Sequence, residues 1–283
     1  MLTAECVPPA SSDPEAVKKL ASQFPPALDA VVVSDNHHET RGSALACAAL
    51  LAAQNVEPVL PLSTRDKNRV ALESDVLGAS ALGVKNFLCM TGLHQSLGAN
   101  SQAGSVYDVD ATQLVEAIGK MADQGLGING RKLDNVPELF VGATAHPFLS
   151  PLELSVLQLK KKVLAGVDVV WTDPVFDVSG FEVWMQAVRA SGLDKKVAII
   201  ASVLLLQSPE QAAMIRKMPT GKGINDVMIE RLRQPTNGTS AGLTICAETI
   251  AAIKGIVGVR GVHLLTGGSV ALANQIISTA RLA

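Results

Sequence analysis

The sequence is poor in excess charge, in aromatic residues and in long apolar runs, and each shortage removes a class of function. Its 283 residues carry a formal net charge of −2 and only 3% aromatic residues. Neither a basic, aromatic-lined nucleic-acid surface nor a membrane-binding surface is therefore predicted. No apolar run approaches the ~18 residues of a membrane span, and the beginning of the chain lacks the basic and apolar regions of a signal peptide. These absences predict a cytoplasmic protein.

Cysteine is also scarce, and its spacing indicates no metal site. The chain has four cysteines, Cys6, Cys47, Cys89 and Cys246, without a CxxC pair or another spacing typical of metal ligands. In the absence of a secretion signal, we expect reduced thiols that act as small core residues.

The chain does contain a regular alternation of short β-rich runs and helical stretches. With 48% hydrophobic residues and no break in composition, residues 1–283 are predicted to form one domain around one large core. Turn-forming residues bound each β-rich run. The eight predicted strands are 2–7, 30–34, 57–62, 84–90, 138–143, 168–172, 197–202 and 261–266.

Eight strand–helix repeats predict an α/β fold, a (β/α)8 barrel of the TIM type. An open doubly wound sheet is the alternative, but it usually has fewer strands and a glycine-rich phosphate loop after the first. Here Val7-Pro8-Pro9 follows the first strand, so a dinucleotide-binding loop is disfavoured.

Candidate functional residues follow the predicted strands, where a parallel barrel collects its chemistry. Glu5 lies inside an apolar strand, which is costly unless the carboxylate is paired or functional; a general acid and a salt-bridged structural residue are both open. Asp35 and Asn36 follow strand two and are candidates to bind a ligand. Thr91 and Leu93 end strand four, and the Gly- and Ser-rich segment 95–108 after them predicts either a binding loop or a surface excursion.

Charged residues after strands three and six extend this set. Arg65 is a candidate to bind phosphate or carboxylate, with an ion-pair network at a helix start as the alternative. Asp66 is a candidate cap of the next helix. Asp173 stands where a ligand-binding side chain is expected, whereas Asp177 is expected to cap a helix. In the helix at 151–165, one of three consecutive lysines is expected to turn toward the rim.

Five segments, in order, resemble the methylenetetrahydrofolate reductase family, particularly its short catalytic-domain forms from anaerobic bacteria. The strongest segment runs from SDNHHET to FLCMTG, residues 34–92, and includes the motif TRDKNR. The others are VYDVDATQLV, VGATAHPF, LKKKVLAGVDVVWTDPVFD and GVHLLTGG. Together they extend over nearly the whole chain.

The resemblance implies a flavoprotein in which FAD lies across the carboxyl ends of the strands and reduces 5,10-methylenetetrahydrofolate to the 5-methyl form. Glu5 matches the family's catalytic glutamate. The residues implied to contact FAD are Thr64, Arg65, Asp66, Thr91, His146, Lys161 and Lys162, and those implied to contact the folate are Asp35, Asn36, Leu93 and Asp173.

Two positions depart from the family pattern. Leu93 stands where the family has an aspartate after glycine, and Asp173 stands where it has a glutamine after threonine. Both positions normally contact the pterin, and loss of a hydrogen-bond partner in a buried site costs ~1–3 kcal/mol. Either Asp173 replaces the lost carboxylate, or the substrate has changed, or the reductase activity is lost.

The departures leave a second class of function open beside the reductase. A flavin-free relative would bind folate or methylfolate and serve methyl transfer, or act as a subunit of a one-carbon complex. The resemblance also implies a homo-oligomer or hetero-complex, with an electron-delivering or methyl-transfer partner subunit.

Overall fold

A computed structural model describes residues 1–35, 39–98, 100–234 and 238–282. Asn36, one of the predicted folate contacts, lies outside the described residues. The strands are β1 (Leu2–Cys6), β2 (Ala30–Val33), β3 (Pro58–Ser63), β4 (Asn86–Met90), β5 (Phe140–Ala145), β6 (Val169–Pro174), β7 (Ala198–Leu204) and β8 (Val259–Leu265).

The eight strands form a closed parallel barrel in sequence order. β8 returns to β1 with Leu2 opposite Val262 and Ala4 opposite Leu264, so the sheet has no free edge. The predicted (β/α)8 barrel is confirmed, and the open doubly wound sheet is excluded.

Helices cover the outside of the barrel. They are α1 (Pro14–Ala21), α2 (Ala44–Ala52), α3 (Arg69–Ala81), α4 (Ala111–Gln124), α5 (Leu152–Leu164), α6 (Val178–Ala190), α7 (Pro209–Ile215), α8 (Asp226–Arg233), α9 (Gly238–Lys254) and α10 (Val270–Thr279). Among the described residues, no helix is both long and apolar enough to cross a membrane.

Polar side chains fix where the helices begin. Asp177 accepts a hydrogen bond from the Gly180 amide at 2.9 Å, so its predicted role as the cap of α6 is confirmed. The predicted cap at Asp66 is wrong, because the side chain of Asn68 caps α3 instead, accepting from the Ala71 amide at 3.0 Å. Asp66 is bound to another partner, described below.

Strand alternation divides the core into two layers. On β1, Leu2, Ala4 and Cys6 pack outward against the helices, whereas Thr3 and Glu5 alternate with them and face the barrel interior. All four cysteines are free and buried, as expected from the sequence. Burial raises the pKa of Cys246 to about 12, which keeps this thiol protonated and unreactive.

Three polar side chains meet inside the barrel. Trp171 Nε1 donates to Thr3 Oγ1 at 3.2 Å, and Thr3 Oγ1 lies 2.9 Å from His263 Nδ1. His263 is buried, and burial lowers its pKa to about 4 despite a hydrogen bond with the Thr3 backbone. The folded barrel therefore holds this imidazole neutral.

The buried imidazole predicts a loss of stability in mild acid. The unfolded chain protonates His263 near pH 6.5 and the folded chain only near pH 4. The free energy of unfolding therefore falls as the pH falls through this window, by about 3 kcal/mol from this group. Denaturant unfolding of the wild type and of His263→Gln, measured from pH 7 to pH 4, checks this. On acidification the free energy of unfolding should fall more in the wild type than in His263→Gln. An equal fall in the two proteins would contradict the assignment.

Trp171 also requires the glycine beside it. A Cβ at Gly142 would lie 2.4 Å from the Trp171 ring, so the indole occupies the space where a side chain on β5 would stand. The wide ring in this interior position depends on the smallest residue on the neighbouring strand.

Two glycine-to-alanine substitutions should therefore have opposite effects. Gly142→Ala forces the ring to shift and should lower the free energy of unfolding by ~1–3 kcal/mol. Gly119→Ala, within α4, meets nothing nearer than 3.6 Å and should raise it by ~0.5–1 kcal/mol, because alanine favours the helix. Denaturant unfolding measures both effects, and equal effects would contradict this packing.

Candidate functional site

The carboxyl ends of all eight strands lie at one end of the barrel. We call this end, which includes Glu5, Asp35, Arg65, Leu93 and Asp173, the barrel mouth. Glu5 is half-buried, and its Oε1 accepts a hydrogen bond from Ser34 Oγ at 2.9 Å. Ser34 follows β2, the strand next to β1, so one inward-facing hydroxyl orients the predicted acid.

The guanidinium of Arg65 joins three strand ends. Its side chain is only 2% exposed, and its hydrogen bonds reach Asp35 Oδ2 at 3.2 Å, both carboxylate oxygens of Asp66 at 2.6 and 2.9 Å, and the Leu93 carbonyl at 3.3 Å. Two roles were open for Arg65 from the sequence, binding of a phosphate or carboxylate ligand and an ion-pair network, and the structure shows the ion-pair network. It links the residues that follow β2, β3 and β4.

Gly92 allows the backbone after β4 to lie directly against Ser63 and Arg65. It has a φ of 84°, in the region that favours glycine, and a Cβ there would lie 2.3 Å from Ser63 Oγ and 3.0 Å from the Arg65 Cβ. The hydroxyls of Ser63 and Thr64 donate to the Thr91 carbonyl at 3.5 and 3.4 Å. The tip of β4 is therefore held directly against the end of β3.

The segment after β4 folds back onto the same strand end. The amides of Val106 and Tyr107 donate to the carbonyls of Arg65 and Thr64 at 2.8 and 3.0 Å. The Asp108 carboxylate accepts from Arg69 through two side-chain bonds of 2.9 Å each, which lower the pKa of Asp108 to about 2. These contacts favour a fixed covering loop over a free surface excursion.

A cavity of about 360 Å³ lies beneath this loop. Its volume falls within the range of small-molecule pockets, ~300–1,000 Å³. Gln95 narrows one side by donating to Asp66 Oδ1 at 2.7 Å. The other lining residues come from the ends of β2 and β3, the start of α2 and the covering loop: Asp35, Thr40, Ser43, Ala44, Pro61, Ser63, Arg65, Asp66, Lys67, Asn100 and Ala103.

A second polar cluster follows β5 and β6. His146 Nδ1 lies 3.0 and 3.1 Å from the two carboxylate oxygens of Asp173, and Thr144 Oγ1 lies 3.4 Å from His146 Nε2. The Ser155 hydroxyl donates to the His146 carbonyl at 2.6 Å. Asp173 thus stands at the barrel mouth with a histidine that orients it.

The two lysines predicted to contact FAD lie in different surroundings. Lys162 is buried, and its ammonium donates to the Thr144 carbonyl at 2.6 Å. Burial lowers the pKa of Lys162, and the nearby Asp173 carboxylate opposes this effect. Lys161 is exposed on the outside of α5, away from Thr144.

Three further residues with polar contacts in the barrel, Gln95, Thr3 and His263, were not predicted from the sequence. Gln95 binds Asp66 from an irregular segment, and no spacing pattern indicates such a contact. Thr3 and His263 were detectable in principle. Thr3 stands two residues before Glu5 and so shares its face of the strand, and a histidine inside the apolar run of strand eight is a polar residue in need of a partner.

A family profile described as methylenetetrahydrofolate reductase matches residues 1–281. The chain belongs to the methylenetetrahydrofolate reductase family. No curated protein matches the chain.

Among solved structures, one with the same fold is described as an uncharacterized protein from Clostridium thermocellum that binds two copies of 5-methyl-5,6,7,8-tetrahydrofolic acid. The similarity has a TM-score of 0.66 at 11% identity and covers 99% of this chain and 93% of that chain. At this identity the likeness establishes the shared barrel.

Family membership raises the question of FAD, whose two phosphates require positive charge or backbone amides. The hydrogen bonds of Arg65 are directed to Asp35, Asp66 and Leu93, and that of Lys162 to Thr144. Lys161 faces outward. In this arrangement, these three side chains do not fit a cradle for the FAD phosphates.

The buried guanidinium network predicts a large effect of one substitution. Arg65→Met leaves the half-buried Asp35 carboxylate without this cation, and breaking a buried pair costs ~3–5 kcal/mol. Arg65→Lys should also destabilise the protein, because an ammonium cannot reproduce the planar fork. Denaturant unfolding measures the change.

Arg233→Met is the matched control. Its partner Glu230 is one helical turn away on the surface, and such pairs contribute at most ~1 kcal/mol. Equal losses in Arg65→Met and Arg233→Met would contradict the role given to Arg65.

Proposed function

We propose that the barrel mouth binds a reduced folate of the 5-methyltetrahydrofolate class, and that it does so without flavin. The observation that carries this proposal is the His146–Asp173 pair. The oxygens of Asp173 lie 3.0 and 3.1 Å from the ring nitrogen of His146, and the carboxylate is partly open to the mouth, with 22% of its side chain exposed.

The chemistry of the pterin ring suits this carboxylate. A pterin presents an amino group and a ring N–H side by side, and a carboxylate accepts two parallel hydrogen bonds in the same way that it accepts a guanidinium. In the family pattern the carboxylate follows strand four. Here Leu93 occupies that position, and the carboxylate follows strand six as Asp173, so the contact has moved two strands around the barrel.

The surroundings of the mouth agree with a pterin better than with a dinucleotide. Leu93 is 40% exposed and offers an apolar contact to a ring, while its carbonyl binds Arg65. The cations implied to meet FAD are bound to other groups or face outward. A relative of the same fold that binds 5-methyltetrahydrofolic acid supports the same ligand class.

In this proposal each residue has a defined task. Asp173 accepts the two pterin donors, His146 holds the carboxylate in place, and the Arg65 network keeps Leu93 at the rim. Glu5 Oε2 holds or releases a proton near the pteridine or its linker, with Ser34 fixing Oε1. In this role the protein presents the bound methylfolate to a partner of a one-carbon complex, which accepts the methyl group and leaves tetrahydrofolate in the mouth, and no flavin takes part.

Replacement of Asp173 tests the pterin contact. Asp173→Asn removes one accepting oxygen and the charge, and we expect the dissociation constant of 5-methyltetrahydrofolate to rise ~10–100-fold, measured by titration calorimetry. Asp177→Asn is the control, because asparagine still caps α6 and the exposed Asp177 side chain is already bound to the Gly180 amide. An unchanged affinity in Asp173→Asn, with binding intact in the wild type, would contradict this contact.

A second candidate function is the flavin-dependent reduction of 5,10-methylenetetrahydrofolate. The observation that favours it is Glu5, which stands at the mouth with a hydrogen bond to Ser34, as the family's acid would. When bound, FAD would supply the hydride in such a reaction.

The visible absorption spectrum separates the two candidates. The reductase requires flavin absorption in the purified protein or after addition of FAD, and activity that falls in Glu5→Gln. The folate-binding proposal predicts a colourless protein that also fails to bind added FAD.

A further inference from the structure

The outer face of α5 is unusual among the helices around the barrel. Three leucines point into solvent along it, with Leu154 40%, Leu157 47% and Leu164 75% exposed. They stand at positions that fall on one side of a helix, together with the exposed Lys161. The neighbouring helix α4 presents only polar groups at its exposed positions, among them Gln113, Glu116, Lys120 and Asp123.

Three exposed charges lie beside the leucine stripe. Glu153 is in the first turn of α5, and Lys160 and Lys161 are near its end. Within the described part of the chain, none of these three side chains takes part in a hydrogen bond or ion pair. By contrast, Lys120 and Glu116 on the neighbouring helix α4 form an ion pair at 2.7 Å.

We propose that this face binds the same face of a second copy of the chain. A twofold axis through Leu157 would run the two copies of α5 antiparallel, so that the residue n positions before 157 meets the residue n positions after it. Glu153 then faces Lys161 of the second copy, and Leu154 packs on the aliphatic stem of Lys160. The two symmetry-related Glu153–Lys161 ion pairs then lie on either side of the paired Leu157 side chains. The surface is therefore complementary to itself, as a twofold interface requires.

The charge order selects the antiparallel arrangement of the two copies. A parallel arrangement would place lysine beside lysine and glutamate beside glutamate, which is unfavourable. Because one helix pair supplies only part of a standard interface of ~800 Å² per partner, the dimer is expected to dissociate in the micromolar range.

This arrangement also gives Lys161 a role that is independent of the barrel mouth. The side chain lies on the dimer face of α5 in the proposal, and the interface is the same whichever ligand the mouth takes. The test of the interface and the test of folate binding can therefore fail separately.

Charge exchange tests the pairing. In analytical ultracentrifugation, Glu153→Lys and Lys161→Glu should each weaken the dimer at least ~10-fold, because like charges then face each other. The combined variant Glu153→Lys/Lys161→Glu should restore dimerisation to near the wild-type level. A wild type that stays monomeric at ~100 μM, a concentration above a micromolar dissociation constant, would overturn the proposal, as would a combined variant that is no stronger than the single ones.

Cross-linking locates the axis independently of affinity. All four native cysteines are buried, so Leu157→Cys introduces an accessible thiol, and a short bismaleimide should join two copies efficiently. Val227→Cys on α8, at a position 69% exposed, is the control and should give little cross-linked dimer. A dimer that cross-links equally at both positions, or at neither, would overturn the assignment to α5.

Discussion

The buried guanidinium of Arg65 is the interaction on which the barrel mouth depends. A cation that is 2% exposed is stable only with well-placed acceptors, and the two carboxylates and one carbonyl that satisfy it come from the ends of three adjacent strands. The network requires glycine at position 92, because any side chain there would collide with Ser63. One ionic centre therefore positions Asp35, the tip of β4 and the covering loop together.

The same constraint explains how the chain tolerates Leu93 at the position where the family resemblance implies an aspartate. Only the carbonyl of Leu93 is bound by Arg65, so the side chain at this position is free to change without disturbing the network. The carboxylate at Asp173 is held separately, by His146 on β5's carboxyl end, whose own backbone is fixed by Ser155. The mouth is thus held by two separate groups of contacts, the Arg65 network and the His146–Asp173 pair.

Much of the fold followed from the sequence, because alternating strands and helices leave few arrangements. All eight strands lie within two residues of their predicted ends. The site was less predictable: strand-end residues were located, but their partners were not. Asp66 was a candidate cap of α3, yet Asn68 directly precedes the helix and caps it, while Asp66 is bound by Arg65. Lys161 and Lys162 are adjacent in sequence, and helical rotation places one outside and one in the core.

Flavin-independent folate binding is the central claim, and one titration tests it most directly. The dissociation constant of 5-methyltetrahydrofolate should be the same in flavin-free protein with and without a large excess of FAD, because in the proposal Asp173 binds the pterin, while Arg65 and Lys162 are bound to other groups. Folate binding that occurs only when FAD is present, or competition between the two molecules for the mouth, would contradict the account.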